Sequence, residues 1–308
     1  MKNKNLWIKG LVPATFTPMK PDGSLNLDLV KPMVDLLVNE DIGGLYVCGS
    51  TGEGPSLTRE ERMAVAESFI AAAAGRVPVI VQVGHNSLAE AQMLAQHAQD
   101  AGADAISAVP PSYFKPFSLE NLIDIMHEIM VGAPDLPFYY YHIPRLTAVH
   151  LDMVRFLELS HDRLPNLRGV KYSTFTVYEL QDCLAVDDGY FNMLFGSDEM
   201  LLSGLIVGAH GAVGSTYNFA APLYNRVIAA LARNANAEAQ HYQGLSAKMV
   251  RHMFRHGQGN APLKMMMKFI GFDCGPTRLP QVNMTAAEEA NLKQDLEAIG
   301  FLIGGGLR

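Results

Sequence analysis

The sequence predicts a (β/α)8 barrel, and three observations lead to this prediction. The chain has 308 residues, a length that suits one barrel of this kind or two smaller domains. Short runs rich in β-branched and aromatic residues alternate with helical patterns, which indicates parallel strands joined by helical crossovers. The predicted strands are apolar along their whole length, as expected for a sheet covered on both faces. A single barrel with its helices outside satisfies all three observations.

Eight strand segments can be recognised, each followed by turn residues or by a polar residue. In chain order they are Leu11–Pro18, Gly44–Gly49, Val77–Gly84, Ala105–Pro110, Pro137–Ile143, Leu167–Tyr172, Phe191–Phe195 and Gly211–Gly214. The first segment is followed by Met-Lys-Pro-Asp-Gly and not by the G-x-G-x-x-G turn that opens many doubly wound sheets. The barrel is therefore favoured over an open parallel sheet.

Capping residues mark where the helices begin. Thr58, with Glu61 three residues later, forms a capping box, and Ser87 and Ser118 mark two further helix starts. After the eighth strand the chain still contains more helical patterns than one crossover needs, over residues 222–233, 237–255, 261–270 and 286–299. These additional C-terminal helices are expected to pack on the barrel.

The sequence thus predicts one structural unit with two parts. Residues 1–225 are expected to form the barrel, and residues 226–303 a helical extension packed on it. The glycine-rich residues 304–308 are expected to be a disordered tail. No linker or charge run marks a separate second domain.

Composition excludes several functional classes. Hydrophobic residues make up 49% of the chain and charged residues 18%, which is typical of a folded globular protein. The net charge of −7 disfavours binding to nucleic acid. Three cysteines without paired spacing and an N-terminus without a long apolar run predict a reducing, cytoplasmic location. Residues 200–225 lack charged side chains, but their glycines and polar residues indicate a buried helix and strand rather than a membrane span.

Two candidate catalytic residues end neighbouring strands, where barrel enzymes carry their active sites. Lys171 ends an apolar strand, where burial would lower its pKa and suit it to forming an imine. A lysine that snorkels or pairs with a carboxylate is the alternative. Tyr141 could transfer protons beside that ammonium. Core packing is the alternative there, and at least two of Tyr139, Tyr140 and Tyr141 are expected to be structural.

Candidate binding residues follow two other strands. Ser50 and Thr51 lie in a Gly-Ser-Thr-Gly-Glu loop whose hydroxyl and N–H groups could hold a small carboxylate, although a plain turn has the same composition. Asp198 and Glu199 could accept hydrogen bonds from several hydroxyls of a polyol, or could be acids at a helix N-terminus. The ten histidines show no HExxH spacing, so no metal site is expected.

Together these residues resemble the N-acetylneuraminate lyase and dihydrodipicolinate synthase family of pyruvate-dependent class I aldolases. The likeness covers nearly the whole chain and depends on the Gly49–Glu53 loop, on Tyr141 before His-Ile-Pro, and on Lys171 in Gly-Val-Lys. It implies that Ser50 and Thr51 bind the pyruvate carboxylate, that Tyr141 shuttles protons and that Lys171 forms the imine. It also implies that the reaction uses no metal and no separate cofactor.

Within the family, the segment from Gly196 to Glu199, with Asp198 inside it, and the later Ser215 resemble the sialic-acid lyase subgroup. In that subgroup the glycine carbonyl, both carboxylates and the serine bind the hydroxyl chain of the sugar acid. The resemblance implies reversible retro-aldol cleavage of N-acetylneuraminate to N-acetylmannosamine and pyruvate. Ser173 is expected to be a further substrate contact, although bacterial lyases have threonine at that position.

Other readings of the sequence remain open. The synthase subgroup has an arginine five residues after the strand-five tyrosine, where this chain has Leu146, with Arg145 one residue earlier. A synthase, or another pyruvate-dependent 2-keto acid aldolase or dehydratase, is therefore the alternative activity. A catalytically silent sugar-acid binding protein is disfavoured by intact Lys171 and Tyr141. The family resemblance also implies a homotetramer, and Tyr113 resembles a tyrosine that family members insert into a neighbouring subunit's site.

Overall fold

The computed structural model describes residues 6–302 and 306–307, and its main feature is a sheet of eight parallel strands. The strands are β1 Gly10–Pro13, β2 Leu45–Val47, β3 Val79–Gln82, β4 Ala105–Ala108, β5 Phe138–His142, β6 Leu167–Tyr172, β7 Asn192–Phe195 and β8 Gly211–Gly214. Each overlaps one predicted segment. The first ends at Pro13 and not at Pro18, although the next backbone N–H, that of Ala14, still donates to the Gly214 carbonyl at 2.9 Å.

The sheet closes on itself. From β2 to β8 each strand pairs with the next in sequence, and β1 pairs in parallel with β8, from Gly10 opposite Gly211 to Pro13 opposite Gly214. Ala14 forms an isolated parallel bridge with Tyr46 of β2. These contacts confirm the predicted (β/α)8 barrel.

Helices surround the barrel. They are α1 Val30–Asn39, α2 Arg59–Ala73, α3 Leu88–Ala101, α4 Leu119–Met130, α5 Pro144–Thr147, α6 Met153–Ser160, α7 Val177–Ala185, α8 Leu201–Ile206, α9 Tyr217–Ala232, α10 Asn236–His256, α11 Ala261–Phe269 and α12 Ala286–Ala298. The capping box of Thr58 and Glu61 is present, and Ser87 and Ser118 cap α3 and α4. Among the described residues, no helix combines the length and apolarity that crossing a bilayer requires.

The C-terminal part begins with a helix that starts earlier than predicted. α9 starts at Tyr217, and its backbone departs from helical geometry at Ala220, two residues before Pro222. This kink accommodates a proline that could not donate a helical hydrogen bond. The helix spans the expected boundary at residue 225 and packs against both β1 and α10.

Part of the expected tail can be described. β9 Phe301–Leu302 pairs antiparallel with β10 Gly306–Leu307. Residues 304, 305 and 308 of the predicted tail lie outside the described residues.

Side chains of the strands pack in two layers because successive residues point to opposite faces of a sheet. On β5, Tyr139 and Tyr141 point into the barrel, whereas Tyr140 packs outward toward the helices. The N-terminal end of the barrel is filled by Ile8, whose backbone N–H donates to Asn192 Oδ1 at 2.9 Å and whose carbonyl accepts from Nδ2 at 3.1 Å. The C-terminal end of the barrel is therefore the end at which a functional site can lie.

Candidate active site

Lys171 lies inside the barrel between two aromatic rings. It is 4% exposed, and its Nζ lies 3.9 Å from the ring centroid of Tyr46 and 4.0 Å from that of Tyr141. Burial lowers the pKa of the Lys171 ammonium, while Tyr141 and the Asp198 carboxylate act in the opposite direction. A lowered pKa increases the fraction of neutral amine, which is the nucleophilic form.

The structure separates the three consecutive tyrosines of β5. Tyr139 points inward, but its hydroxyl donates to Asn192 Oδ1 at 2.8 Å, and Tyr140 packs its ring 4.9 Å from that of Phe156. Tyr141 is the member of the three that contacts Lys171, which stands opposite it in the register of β5 and β6. Tyr141 is thus placed for proton transfer near the amine.

Tyr46 is a site residue that the sequence reasoning did not single out. Its ring contacts Lys171 and packs edge-on to the ring of Tyr141 at a centroid distance of 5.7 Å. Its hydroxyl donates to Ser107 Oγ at 3.0 Å. The alternation of apolar residues along β2 places Tyr46 on the inner face and could have indicated it.

The loop after β2 presents backbone donors. The Asn260 side chain donates from Nδ2 to the carbonyls of Ser50 and Thr51, at 2.9 and 3.3 Å. In a trans peptide the following N–H points away from the carbonyl, so the N–H groups of Thr51 and Gly52 face the other way. Neither has an acceptor in the described part of the chain. Such a pair of N–H groups can hold a carboxylate.

Asp198 is a buried carboxylate held in a fixed orientation. Its Oδ2 accepts hydrogen bonds from the Thr216 backbone N–H at 2.8 Å and from the Thr216 hydroxyl at 2.6 Å. A Cβ at Gly214 would lie 2.0 Å from Oδ1, so only glycine leaves room for this carboxylate. Burial raises the pKa of Asp198 to about 6, against the opposing effects of the Thr216 bonds and of Lys171.

A cavity of about 560 Å³ opens at this end of the barrel. Its lining includes the predicted substrate-binding residues Ser173, Gly196, Asp198, Glu199 and Ser215. The predicted residues Ser50, Thr51, Tyr141 and Lys171 are not among the residues that line this cavity. Asp198 connects the two groups, because it lines the cavity and also interacts electrostatically with the Lys171 ammonium.

Two polar groups of the cavity lack partners among the described residues. Ser173 Oγ is buried without a hydrogen-bond partner, and a Cβ at Gly196 would approach it to 1.9 Å. His142 is 3% exposed, and its Nδ1 is also unpartnered. Burial, followed by the charge of His150, lowers the pKa of His142 to about 4. A neutral imidazole nitrogen and a serine hydroxyl are therefore buried at the cavity wall without a partner among the described residues.

Two further sequence candidates lie at the surface. Tyr113, between β4 and α4, is 77% exposed and does not line the cavity of this chain. Arg145 is exposed on α5 and contributes to the lining of the cavity. Among the described residues, no cluster of three or more histidine, cysteine or acidic side chains is arranged to hold a metal ion.

Asp198 should limit the stability of the fold at neutral pH. Its pKa of about 6 lies above its ordinary value of 3.8, so its favourable contribution is present at low pH and is lost as the pH rises through about 6. Asp198→Asn is expected to raise the free energy of unfolding by about 3 kcal/mol at pH 7 and to have little effect near pH 4. Urea unfolding at both pH values measures this difference.

The exposed Asp162 provides the matched control for this prediction. Asp162→Asn should leave the unfolding free energy unchanged at either pH. If Asp198→Asn destabilises the protein more at pH 7 than at pH 4, the proposed cost of burying this carboxylate is wrong.

Known proteins resemble this chain in sequence and in architecture. Residues 7–299 match the Dihydrodipicolinate synthetase family. An N-acetylneuraminate lyase from Gallus gallus is 40% identical over 296 residues, covering 95% of this chain and 96% of that protein. An N-acetylneuraminate lyase from Proteus mirabilis has a similar structure, with a TM-score of 0.93, 34% identity, and coverage of 96% of this chain and 100% of that one.

A synthase structure is also similar, at lower identity. A dihydrodipicolinate synthase from Bacillus anthracis superposes with a TM-score of 0.89 and 25% identity, covering 97% of this chain and 99% of that one. The barrel architecture and a family match across nearly the whole chain agree. This chain belongs to the dihydrodipicolinate synthetase family.

Proposed function

We propose that this protein is an N-acetylneuraminate lyase, a class I aldolase that cleaves N-acetylneuraminate reversibly to N-acetylmannosamine and pyruvate. The observation that carries the proposal is the Lys171 amine, buried against the Tyr141 ring and within electrostatic reach of Asp198. The identity to N-acetylneuraminate lyases over nearly the whole chain supports the choice of substrate.

In the proposed reaction, the neutral amine of Lys171 attacks the C2 ketone of the open-chain sugar acid. Loss of water gives an iminium ion, which accepts the electron pair of the C3–C4 bond when that bond breaks. Tyr141 assists removal of the C4 hydroxyl proton, and N-acetylmannosamine leaves as the aldehyde. Protonation at C3 of the remaining enamine and hydrolysis of the imine release pyruvate. Because the imine itself stabilises the developing charge, the proposal needs no metal or separate cofactor.

The binding residues have distinct tasks in this proposal. Ser50 and Thr51 hold the substrate carboxylate through their hydroxyls and the backbone donors of their loop. Asp198 and Glu199 accept hydrogen bonds from substrate hydroxyls, with the Gly196 carbonyl, Ser173 and Ser215 completing the binding of the hydroxyl chain.

Pyruvate release from N-acetylneuraminate by the purified protein tests the proposal. Release at a steady rate is expected, and a parallel incubation of pyruvate with aspartate semialdehyde should give no condensation product. If the folded protein releases no pyruvate but does condense the semialdehyde, the lyase assignment is wrong and the protein is a synthase.

The proposal includes a homotetramer in the cytoplasm. The loop that carries Tyr113 also exposes Phe114 and Phe117, 85% and 87% accessible in the single chain, and an aromatic loop of this kind suits an interface between copies. Three buried free cysteines favour a reducing compartment. Sedimentation equilibrium should give a mass of four chains, and a monomer mass would contradict the assembly.

A further inference from the structure

A buried ion pair connects the loop after β2 to the C-terminal helices. Lys264 of α11 places its Nζ 2.7 Å from Glu53 Oε1, and the two side chains are 4% and 0% exposed. The same ammonium donates to the carbonyl of Pro276 at 2.7 Å, and Glu53 Oε2 accepts from the backbone N–H of Arg278 at 2.9 Å. Each charge therefore has an oppositely charged partner inside the protein, as a buried ion requires.

The same part of the chain binds the loop at a second point. Asn260, which directly precedes α11 and is 8% exposed, holds the carbonyls of Ser50 and Thr51 as described above. The loop adopts a conformation that ordinary residues avoid, since Glu53 has a φ of 55°. A left-handed non-glycine residue persists only where its surroundings hold it.

We propose that residues 260–278 position the carboxylate-binding loop, with Asn260 and Lys264 as positioning residues for pyruvate binding. Asn260 turns the N–H groups of Thr51 and Gly52 away from α11, and the Lys264–Glu53 pair fixes the end of the same loop. The helices beyond the eighth strand thus shape the site as well as covering the barrel. This inference rests on the proposed function, since it assigns the loop to the substrate carboxylate.

The test measures how strongly pyruvate is bound separately from how fast the imine forms. Pyruvate and borohydride together should label Lys171 irreversibly, and mass spectrometry of the intact protein gives the labelled fraction at each pyruvate concentration. Asn260→Ala is expected to raise the half-saturating pyruvate concentration about tenfold, the effect of losing the hydrogen bonds from one buried amide. The labelling rate at saturating pyruvate should stay close to that of the wild type.

Lys264→Met provides a second variant and should raise the half-saturating concentration in the same way. Lys268→Met is its matched control, because Lys268 lies one turn further along α11 and is exposed. That control should bind pyruvate as the wild type does. If Lys264→Met does not fold, as judged by circular dichroism, Asn260→Ala decides the question, because it leaves the ion pair intact.

The outcomes separate the two proposals. If the wild type is labelled and the folded variants keep its half-saturating concentration, or lose only the maximal rate, the positioning role is wrong and the proposed function stands. If the wild type is not labelled at any pyruvate concentration, the proposed function fails and the positioning role fails with it.

Discussion

Lys171→Ala is expected to abolish pyruvate release from N-acetylneuraminate, lowering turnover by roughly 10⁴-fold or more, the scale on which loss of a covalent nucleophile acts. No lysine of the cavity can replace it, because the described lining contains none. Without the amine there is no iminium ion to accept the electrons of the C3–C4 bond. Parallel assays of pyruvate release by wild type and variant measure the effect.

Lys171→Met distinguishes the effect of losing the amine from the effect of losing side-chain volume. Its side chain is similar in length to lysine and should pack between the rings of Tyr46 and Tyr141. Because burial lowers the pKa of Lys171, the ammonium costs folding free energy at neutral pH. The methionine variant should therefore be inactive yet unfold at no lower temperature than the wild type. Substantial turnover in either folded variant would rule out the imine mechanism.

The sequence was sufficient to predict the barrel because short segments of the chain indicate where each strand lies. Apolar runs, turn residues and capping residues such as Thr58 are all short-range signals, and each predicted strand segment overlaps an observed strand. The exact ends of the strands and helices were harder to predict. α9 begins five residues before Pro222 because a kink at Ala220, which depends on tertiary packing, lets the helix continue through the proline.

The candidate site was predicted less completely, for a physical reason. Lys171 and Tyr141 could be found because each is the next-to-last residue of its strand, and the C-terminal ends of these strands converge. The bonds from Asn260 to the Ser50 and Thr51 carbonyls join residues 210 and 209 positions apart, and no local pattern indicates such contacts. Thr216 was likewise missed as the partner of Asp198, since the pairing depends on how two adjacent strand ends meet.

Tyr141→Phe is expected to slow turnover by about 10² to 10⁴-fold, the usual contribution of a positioned acid or base. The phenylalanine ring keeps the aromatic contact with Lys171, so the environment of the amine is largely retained. Imine formation with pyruvate should therefore persist, and borohydride should still trap pyruvate on Lys171. The change removes the hydroxyl to which the proposed mechanism assigns transfer of the C4 proton and leaves the proposed nucleophile in place.

Tyr140→Phe is the matched control for this change, because Tyr140 is the preceding residue of the same strand and packs outward against Phe156. It should turn over at close to the wild-type rate. A proton-transfer role for Tyr141 requires that the Tyr141→Phe variant lose turnover of N-acetylneuraminate but still be labelled by pyruvate and borohydride. If Tyr141→Phe loses both together, the phenol positions the amine instead, and if it loses neither, the tyrosine serves only in packing. The ratio of turnover to trapping therefore distinguishes the chemistry of the hydroxyl from the contacts of the ring.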